Sequence, residues 1–463
     1  MSSLKVYAPY DQSLIKEIPL KTAEEMNAAI DKAHSLFQDR SKWIPKYKRV
    51  EILENIARLM DERSDEIMRT SAQEGGKPWI DTKAEMARAI NGVKLAIEHM
   101  GQHKGEEIAM GHTASSANRM AFTIREPIGV VASVSAFNHP INLIIHQTIP
   151  AIAVGSPVIV KPAPTTPLTC ELLVEIFHDA GLPEGWCECM VCDNDVAEIL
   201  VTSPKVNFFS FIGSAKVGWY LRSKLAPGTR CALEHGGAAP VIVEPDADID
   251  SMIAPLTKGG FYHAGQVCVS VQRVFIHESI IEEVAEKMVA AAKKIITGDP
   301  LDPKTEAGPL ILPKEVDRVE SWVNEAREAG GSVLCGGNRI SDTCYEPTII
   351  MNPPEDVNVS QLEIFGPVVC LYSYSDMYEA IERANALPFH FQASVFTKNI
   401  DTALDCVQRL NAAAVMVNDH TAFRVDWMPF AGRDHSGMAI GSIPDTMHDM
   451  SRQKLMVLKS DKI

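Results

Sequence analysis

From Gly129 onward the chain alternates short apolar runs with segments of helical pattern, and this alternation restricts its fold more than any other feature. "GVVASVSA" leads to a helical segment from Pro140, "SPVIVKP" to one from about Pro167, and "NFFSFIGS" to one from Ala215. A second series follows "LEHGGAAPVIV": a helix near 248–264, the strand "VQRVFI", a long helix near 278–296, and later strands "PVVCLYSY" and "QASVFT". Strand–helix alternation of this kind specifies an α/β fold with parallel sheets covered by helices on both faces. The first hundred residues are helical in pattern. "KTAEEMNAAIDKAHSLFQ" opens with Thr22 and has Glu25 three residues later, the spacing of a capping box. At 463 residues the chain exceeds one ordinary core, and no low-complexity linker or repeat divides it. Two interlocked α/β domains are expected.

A formal net charge of −16 argues against nucleic acid or an anionic membrane surface as partner, since both require a basic face. The most apolar region, from Ile141, is broken by His146, Gln147, Pro150 and Pro157 and reads as a buried helix leading into a strand. The first twenty residues lack an apolar core with a small-residue cleavage site, so a cytoplasmic protein is expected. Ten cysteines without regular spacing are no disulfide framework. "CECMVC" (Cys187, Cys189, Cys192) resembles half a metal site, but no second pair follows at zinc spacing. A buried strand edge is the better reading, and no metal is expected.

Six places carry residues suited to chemistry. "YHAGQVCVS" holds Cys268, which taken alone reads as a buried thiol. "GSAKVG", Gly213 to Gly218, is a glycine-rich turn between strand and helix, where backbone amides approach a phosphate; its spacing differs from the usual dinucleotide fingerprint. Lys161 ends an apolar strand, a position from which it reaches a ribose or phosphate, or simply solvent. Glu234 ends "RCALE" before two glycines, and a carboxylate in apolar surroundings serves as a general base. Asn138, at the end of "SAFN", has an amide able to donate to an oxyanion. The block "EIFGP" from Glu363 completes the set.

In this order, Asn138, Lys161, the Gly213–Gly218 turn, "EHGG" from Glu234, "GQVC" ending at Cys268 and "EIFGP" resemble the aldehyde dehydrogenase superfamily over essentially the whole chain. The resemblance implies a cofactor domain of residues 1–103 and 126–234, a catalytic domain of residues 235–440, and an oligomerisation arm of residues 104–125 and 441–463. It implies Cys268 as nucleophile, Glu234 as the base that activates water, and Asn138 as oxyanion donor. Lys161, Gly213, Ser214, Gly218, Glu363 and Phe365 would bind the dinucleotide, and the enzyme would form homodimers or homotetramers. An inactive structural protein on the same fold is the contrasting reading, and the intact Cys268, Glu234 and Asn138 argue against it.

The sequence departs from the pattern at several points. NAD is the preferred cofactor, but Pro164 stands where many members carry a glutamate on the adenosine ribose, so the carboxylate that would reject a 2′-phosphate is missing and NADP stays open. His235, Ala238 and Ala431 replace usual family residues without removing a chemical group. The presence of Glu234 favours hydrolysis to a free acid over transfer to CoA. Matched by motif spacing, Arg88, His146 and Arg424 fall at substrate-tunnel positions, with His139 a fourth candidate. Positive charge gathered in an acidic chain calls for an anionic aldehyde. "NDHTAFRVDWMPF" resembles the sulfoacetaldehyde and phosphonoacetaldehyde dehydrogenase branch. Val267 stands where the phosphonate type has a further arginine. Sulfoacetaldehyde, giving sulfoacetate, is therefore the expected substrate, with phosphonoacetaldehyde, succinate semialdehyde and lactaldehyde as alternatives.

Overall fold

The computed structural model, which describes residues 2–463, holds two largely parallel sheets, and a cleft opens at the carboxyl ends of the strands of the first. The first sheet has the strand order Gly437–Met438, Arg230–Glu234, Val206–Ile212, Val130–Val134, Val158–Lys161, Cys187–Cys189. It is parallel except where Gly437–Met438 pairs with Arg230–Glu234. The central strands read as unbroken apolar runs because helices cover both their faces. Cys187–Cys189 is the edge strand, as the "CECMVC" reading expects.

The second sheet is ordered Ser332–Cys335, Thr348–Met351, Val368–Tyr374, Arg273–His277, Pro240–Val243, Gln392–Phe396, Ala414–Val417, with only its first pair antiparallel. A third, antiparallel sheet joins Ser451–Lys459 to Arg119–Pro127 along nine residue pairs, with Glu107–Ile108 at its far edge. The helix Ile443–Asp449 packs instead against Trp79–Gln102 and Asn142–Val154, so the chain leaves the helical layers only at Ser451.

Two carboxylates cap the helices that bear on the cleft. Neither helix has a side-chain cap at its own N-cap residue. Glu85 Oε1 accepts the N–H groups of Ile141 (2.9 Å) and Asn142 (2.8 Å), and its other oxygen pairs with buried Lys77 at 2.8 Å. Glu74 accepts the N–H groups of Leu168 and Thr169 at 2.8 and 2.7 Å. Each satisfies donors that a helix start leaves without partners. The Thr22–Glu25 capping box forms as its spacing dictates.

Element bounds differ from the sequence reading at three places. The helix expected near 248–264 ends at Phe261, because His263 and Ala264 turn left-handed at φ 49° and 53°. The helix expected near 278–296 is Ile281–Ala292. Asn138 does not end a strand: the strand stops at Val134, and Asn138 lies in the loop that follows.

Candidate active site

The cleft at the carboxyl ends of the first sheet has a volume of about 630 Å³, and Cys268, Glu234, Asn138, Lys161 and Glu363 all line it. These residues span more than 200 positions of sequence. They converge because each sits at or just beyond an element that points at the cleft.

Cys268 is presented by a strained turn. His263, Ala264 and Gly265 adopt left-handed φ in succession, and the two that carry a Cβ cost about 1 to 2 kcal/mol each. The turn is held by Gln266, whose buried side chain accepts the Ile311 N–H at 2.9 Å and donates to the Pro309 carbonyl at 3.1 Å. A side chain at Gly265 would collide with the Gly366 carbonyl, so the "GQVC" and "EIFGP" blocks cross at a point where only glycine fits. Burial pushes the Cys268 thiol up to about 12, with Glu363 and Glu234 adding to the shift and Arg424 opposing it.

The Asn138 amide donates one N–H to the Gln266 carbonyl at 2.9 Å. That bond fixes its orientation two residues from Cys268 and leaves the second N–H for a substrate oxygen. Glu234 lies against Gly441, where any side chain would strike its carboxylate. Burial raises its pKa, and Arg424 draws it partly back. A thiol, an amide donor and a carboxylate thus share one cleft, the set of groups that acyl chemistry on a thiol requires.

On the cofactor side, Gly213 and Ser214 lie ahead of the helix Ala215–Arg222, and both line the cleft. Lys161 ends its strand, buried and without an ion pair among the described residues; burial lowers its pKa. Glu363 rests on the Gly236–Gly237 pair, and a side chain at Gly236 would overlap its carboxylate. Burial pushes Glu363 up to about 8, and its Oε1 has no hydrogen-bond partner among the described residues. An unpartnered acceptor of this kind suits a ribose hydroxyl. Phe365, at φ 47°, meets Phe137 edge to face at 5.9 Å. These residues fit a dinucleotide. Gly218 departs from expectation. It lies outside the cleft lining, and its missing side chain makes room for the His235 ring, whose Nδ1 lies 2.9 Å from the Gly213 carbonyl oxygen.

The four proposed cationic positions have different fates. Arg424 is half-buried, lies over the Phe430 ring at 3.5 Å and forms no ion pair among the described residues. Its buried Nε has no hydrogen-bond partner among them. Arg88 lines the cleft but is tied to Asp426 by two hydrogen bonds, Nε at 3.1 Å and Nη2 at 2.7 Å. His146 does not line the cleft. It bonds Asp426 from behind at 2.9 Å, and burial pulls its pKa down to about 4 against the opposing carboxylate, so it is neutral. It shares no helical face with Asn138, because the helix that carries it begins only at Asn142. His139 lines the cleft edge-on to His263, and burial holds it far below the usual imidazole range. Of the expected cations, Arg424 alone is uncompensated.

Sequence reasoning missed Asp426, two residues after Arg424. An acidic residue within an otherwise apolar stretch was its only signal.

The "Aldehyde dehydrogenase family" profile matches residues 1–456. The 3-sulfolactaldehyde dehydrogenase of Priestia aryabhattai is 34% identical over 456 residues, covering 98% of this chain and 94% of that protein. The lactaldehyde dehydrogenase of Methanocaldococcus jannaschii is 35% identical over 460 residues, covering 98% and 97%. Among solved structures, aldehyde dehydrogenase 21 from Physcomitrella patens, in complex with the reaction product succinate, superposes with a TM-score of 0.95 at 34% identity, covering 99% of this chain and 95% of that one. Glyceraldehyde-3-phosphate dehydrogenase from Methanocaldococcus jannaschii, complexed with NADP, gives 0.94 at 35% identity, covering 99% and 100%.

Proposed function

The chain belongs to the aldehyde dehydrogenase family, and we propose that it oxidises a small anionic aldehyde to its acid, with Arg424 as anchor for the anion. One observation carries the substrate class: a guanidinium with a buried Nε and no ion-pair partner among the described residues lines the same cleft as Cys268 and Glu234. Such a group suits a carboxylate, sulfonate or phosphonate.

In the chemistry we infer, the Cys268 thiolate adds to the aldehyde carbon, and the free N–H of Asn138 with the backbone N–H of Cys268 holds the resulting oxyanion. The thiol is poorly acidic in the unliganded protein, and the proton it loses before the attack passes to solvent, which leaves Glu234 free for the hydrolytic step. NAD or NADP, when bound, supplies the acceptor for the hydride leaving that carbon. Glu363 and Lys161 would hold its riboses, and Ser214 with Gly213 its phosphates. Pro164 lines the cleft without offering a carboxylate against a 2′-phosphate, so NADP is as admissible as NAD. Relatives of both kinds are represented, one complexed with NADP and a betaine aldehyde dehydrogenase from Staphylococcus aureus in complex with NAD+. Glu234 then takes a proton from the water that hydrolyses the Cys268 thioester. Residues 1–103 and 126–234 form the cofactor domain in this reading, and residues 235–440 the catalytic domain.

Sulfoacetaldehyde remains the first substrate to assay, supported by Val267 and by the sulfonate named for the Priestia relative. A carboxylate such as succinate semialdehyde is the second reading, favoured by the succinate in the Physcomitrella structure. The test is kcat/KM for sulfoacetaldehyde, succinate semialdehyde, lactaldehyde and propanal in the wild type and Arg424→Ala. Loss of a charged hydrogen-bond donor should cost the preferred anionic aldehyde about 10- to 100-fold and propanal far less. Propanal as the best substrate, with Arg424→Ala unchanged, would refute the anionic reading.

A further inference from the structure

Asp426 is 2% exposed and does not line the cleft, yet it gathers four donors. Arg88 grips both its oxygens, while Asn142 Nδ2 at 3.2 Å and His146 Nε2 at 2.9 Å converge on Oδ1. Asn142 brings no charge, and His146 is neutral, as its low pKa requires. One full negative charge therefore stands behind Arg88, held in place from three sides. Burial opposes that charge, but the His146 and Arg88 bonds outweigh it and keep the carboxyl ionised. On the cleft side, Arg88 is half-buried and its Nη1 has no hydrogen-bond partner among the described residues. The nearby Lys77–Glu85 pair cancels within itself.

We propose that Asp426 sets the charge of the cleft at its substrate end: by pairing Arg88 from behind, it leaves Arg424 as the one arginine there without an ion pair among the described residues and matches the cleft to a monoanionic head group over a dianionic one. The inference rests on the anionic-substrate reading above and deepens it. Asp426 is a positioning residue, acting through Arg88. It orients that guanidinium so that Nη1 still offers hydrogen bonds while its charge is balanced. A second negative charge on the substrate would face one cation only, at the low effective dielectric of a recessed site.

Sulfonate and phosphonate share shape and differ in charge, the phosphonate being nearly dianionic at mildly alkaline pH. The test is the ratio of kcat/KM for phosphonoacetaldehyde to that for sulfoacetaldehyde at about pH 8, in the wild type, Asp426→Asn, and Asp426→Asn with Arg88→Gln. Asp426→Asn keeps the size of the side chain and frees the Arg88 charge, so the ratio should rise about tenfold or more. The double variant should bring it back towards the wild-type value. A role in folding alone would depress both substrates together and leave the ratio fixed, and that result overturns the proposal. Should Asp426→Asn fail to fold, Arg88→Gln tests the claim from the other side. Asp426 is then uncompensated, and the ratio should fall about tenfold; an unchanged ratio overturns the proposal. If the wild type takes neither anionic aldehyde better than propanal, the substrate reading fails and this inference with it. If it prefers them and the ratio does not move, Asp426 alone was misassigned.

Discussion

Cys268 sits where its thiol is poorly acidic, and this sets a clear expectation for its reactivity. Burial together with the Glu363 and Glu234 charges pushes it up to about 12. Below that value the thiolate fraction grows tenfold per pH unit. The rate of iodoacetamide labelling at Cys268 in the ligand-free protein should therefore climb from pH 7 to 10 without levelling, as peptide mass spectrometry can follow. A plateau below pH 9 would show that the cleft stabilises the thiolate. Most residues of the candidate site are legible in the sequence, because the chemistry proposed for them demands particular types at the ends of elements: Cys268, Glu234, Asn138 and Lys161 all line the cleft. Charge balance was not legible. Whether Arg88 is free depends on Asp426, 338 residues further along the chain, and no local pattern reports a partner at that separation. Gly218 misled for a related reason: a glycine beside a helix start looks the same whether it admits a phosphate or a histidine ring.

Elements place these residues through a few crossings that tolerate little change. Gly236→Ala would drive a methyl group into the Glu363 carboxylate. We expect Glu363 to be displaced, raising KM for the dinucleotide about tenfold or more with a smaller change in aldehyde KM, as steady-state kinetics with each varied in turn would show. Glu85 caps the helix Asn142–Val154 and neutralises Lys77, both side chains being almost wholly buried. Glu85→Gln leaves Lys77 an uncompensated buried charge, at a cost of about 3 to 5 kcal/mol, and should lower the urea midpoint accordingly. An unchanged midpoint would mean that Lys77 finds another partner. Strand–helix alternation made both sheets readable in advance. The helix ends were not, since the one at Phe261 is imposed by the left-handed turn that presents Cys268 rather than by any terminating residue.

At the scale of the whole molecule, the third sheet extends the fold beyond its two cores. Leu455, Met456, Val457 and Leu458 on its outer strand are each 39% to 55% exposed. Successive strand residues point to opposite faces, so the strand is apolar on both sides with one edge unpaired among the described residues. If the homodimer or homotetramer that the family resemblance implies forms through this strand, replacing Leu455 and Val457 with Asp gives a smaller species in light scattering. Identical masses for variant and wild type would remove this sheet from any assembly. The account as a whole turns on covalent chemistry at one thiol out of ten. Its most direct test is acid quenching of Glu234→Gln mixed with sulfoacetaldehyde or succinate semialdehyde and NAD or NADP, followed by peptide mass spectrometry. The account predicts an acyl adduct on the Cys268 peptide, accumulating because its hydrolysis has lost the base, with reduced dinucleotide formed in equal amount. Reduced dinucleotide appearing without an adduct, or an adduct on another cysteine, would contradict it.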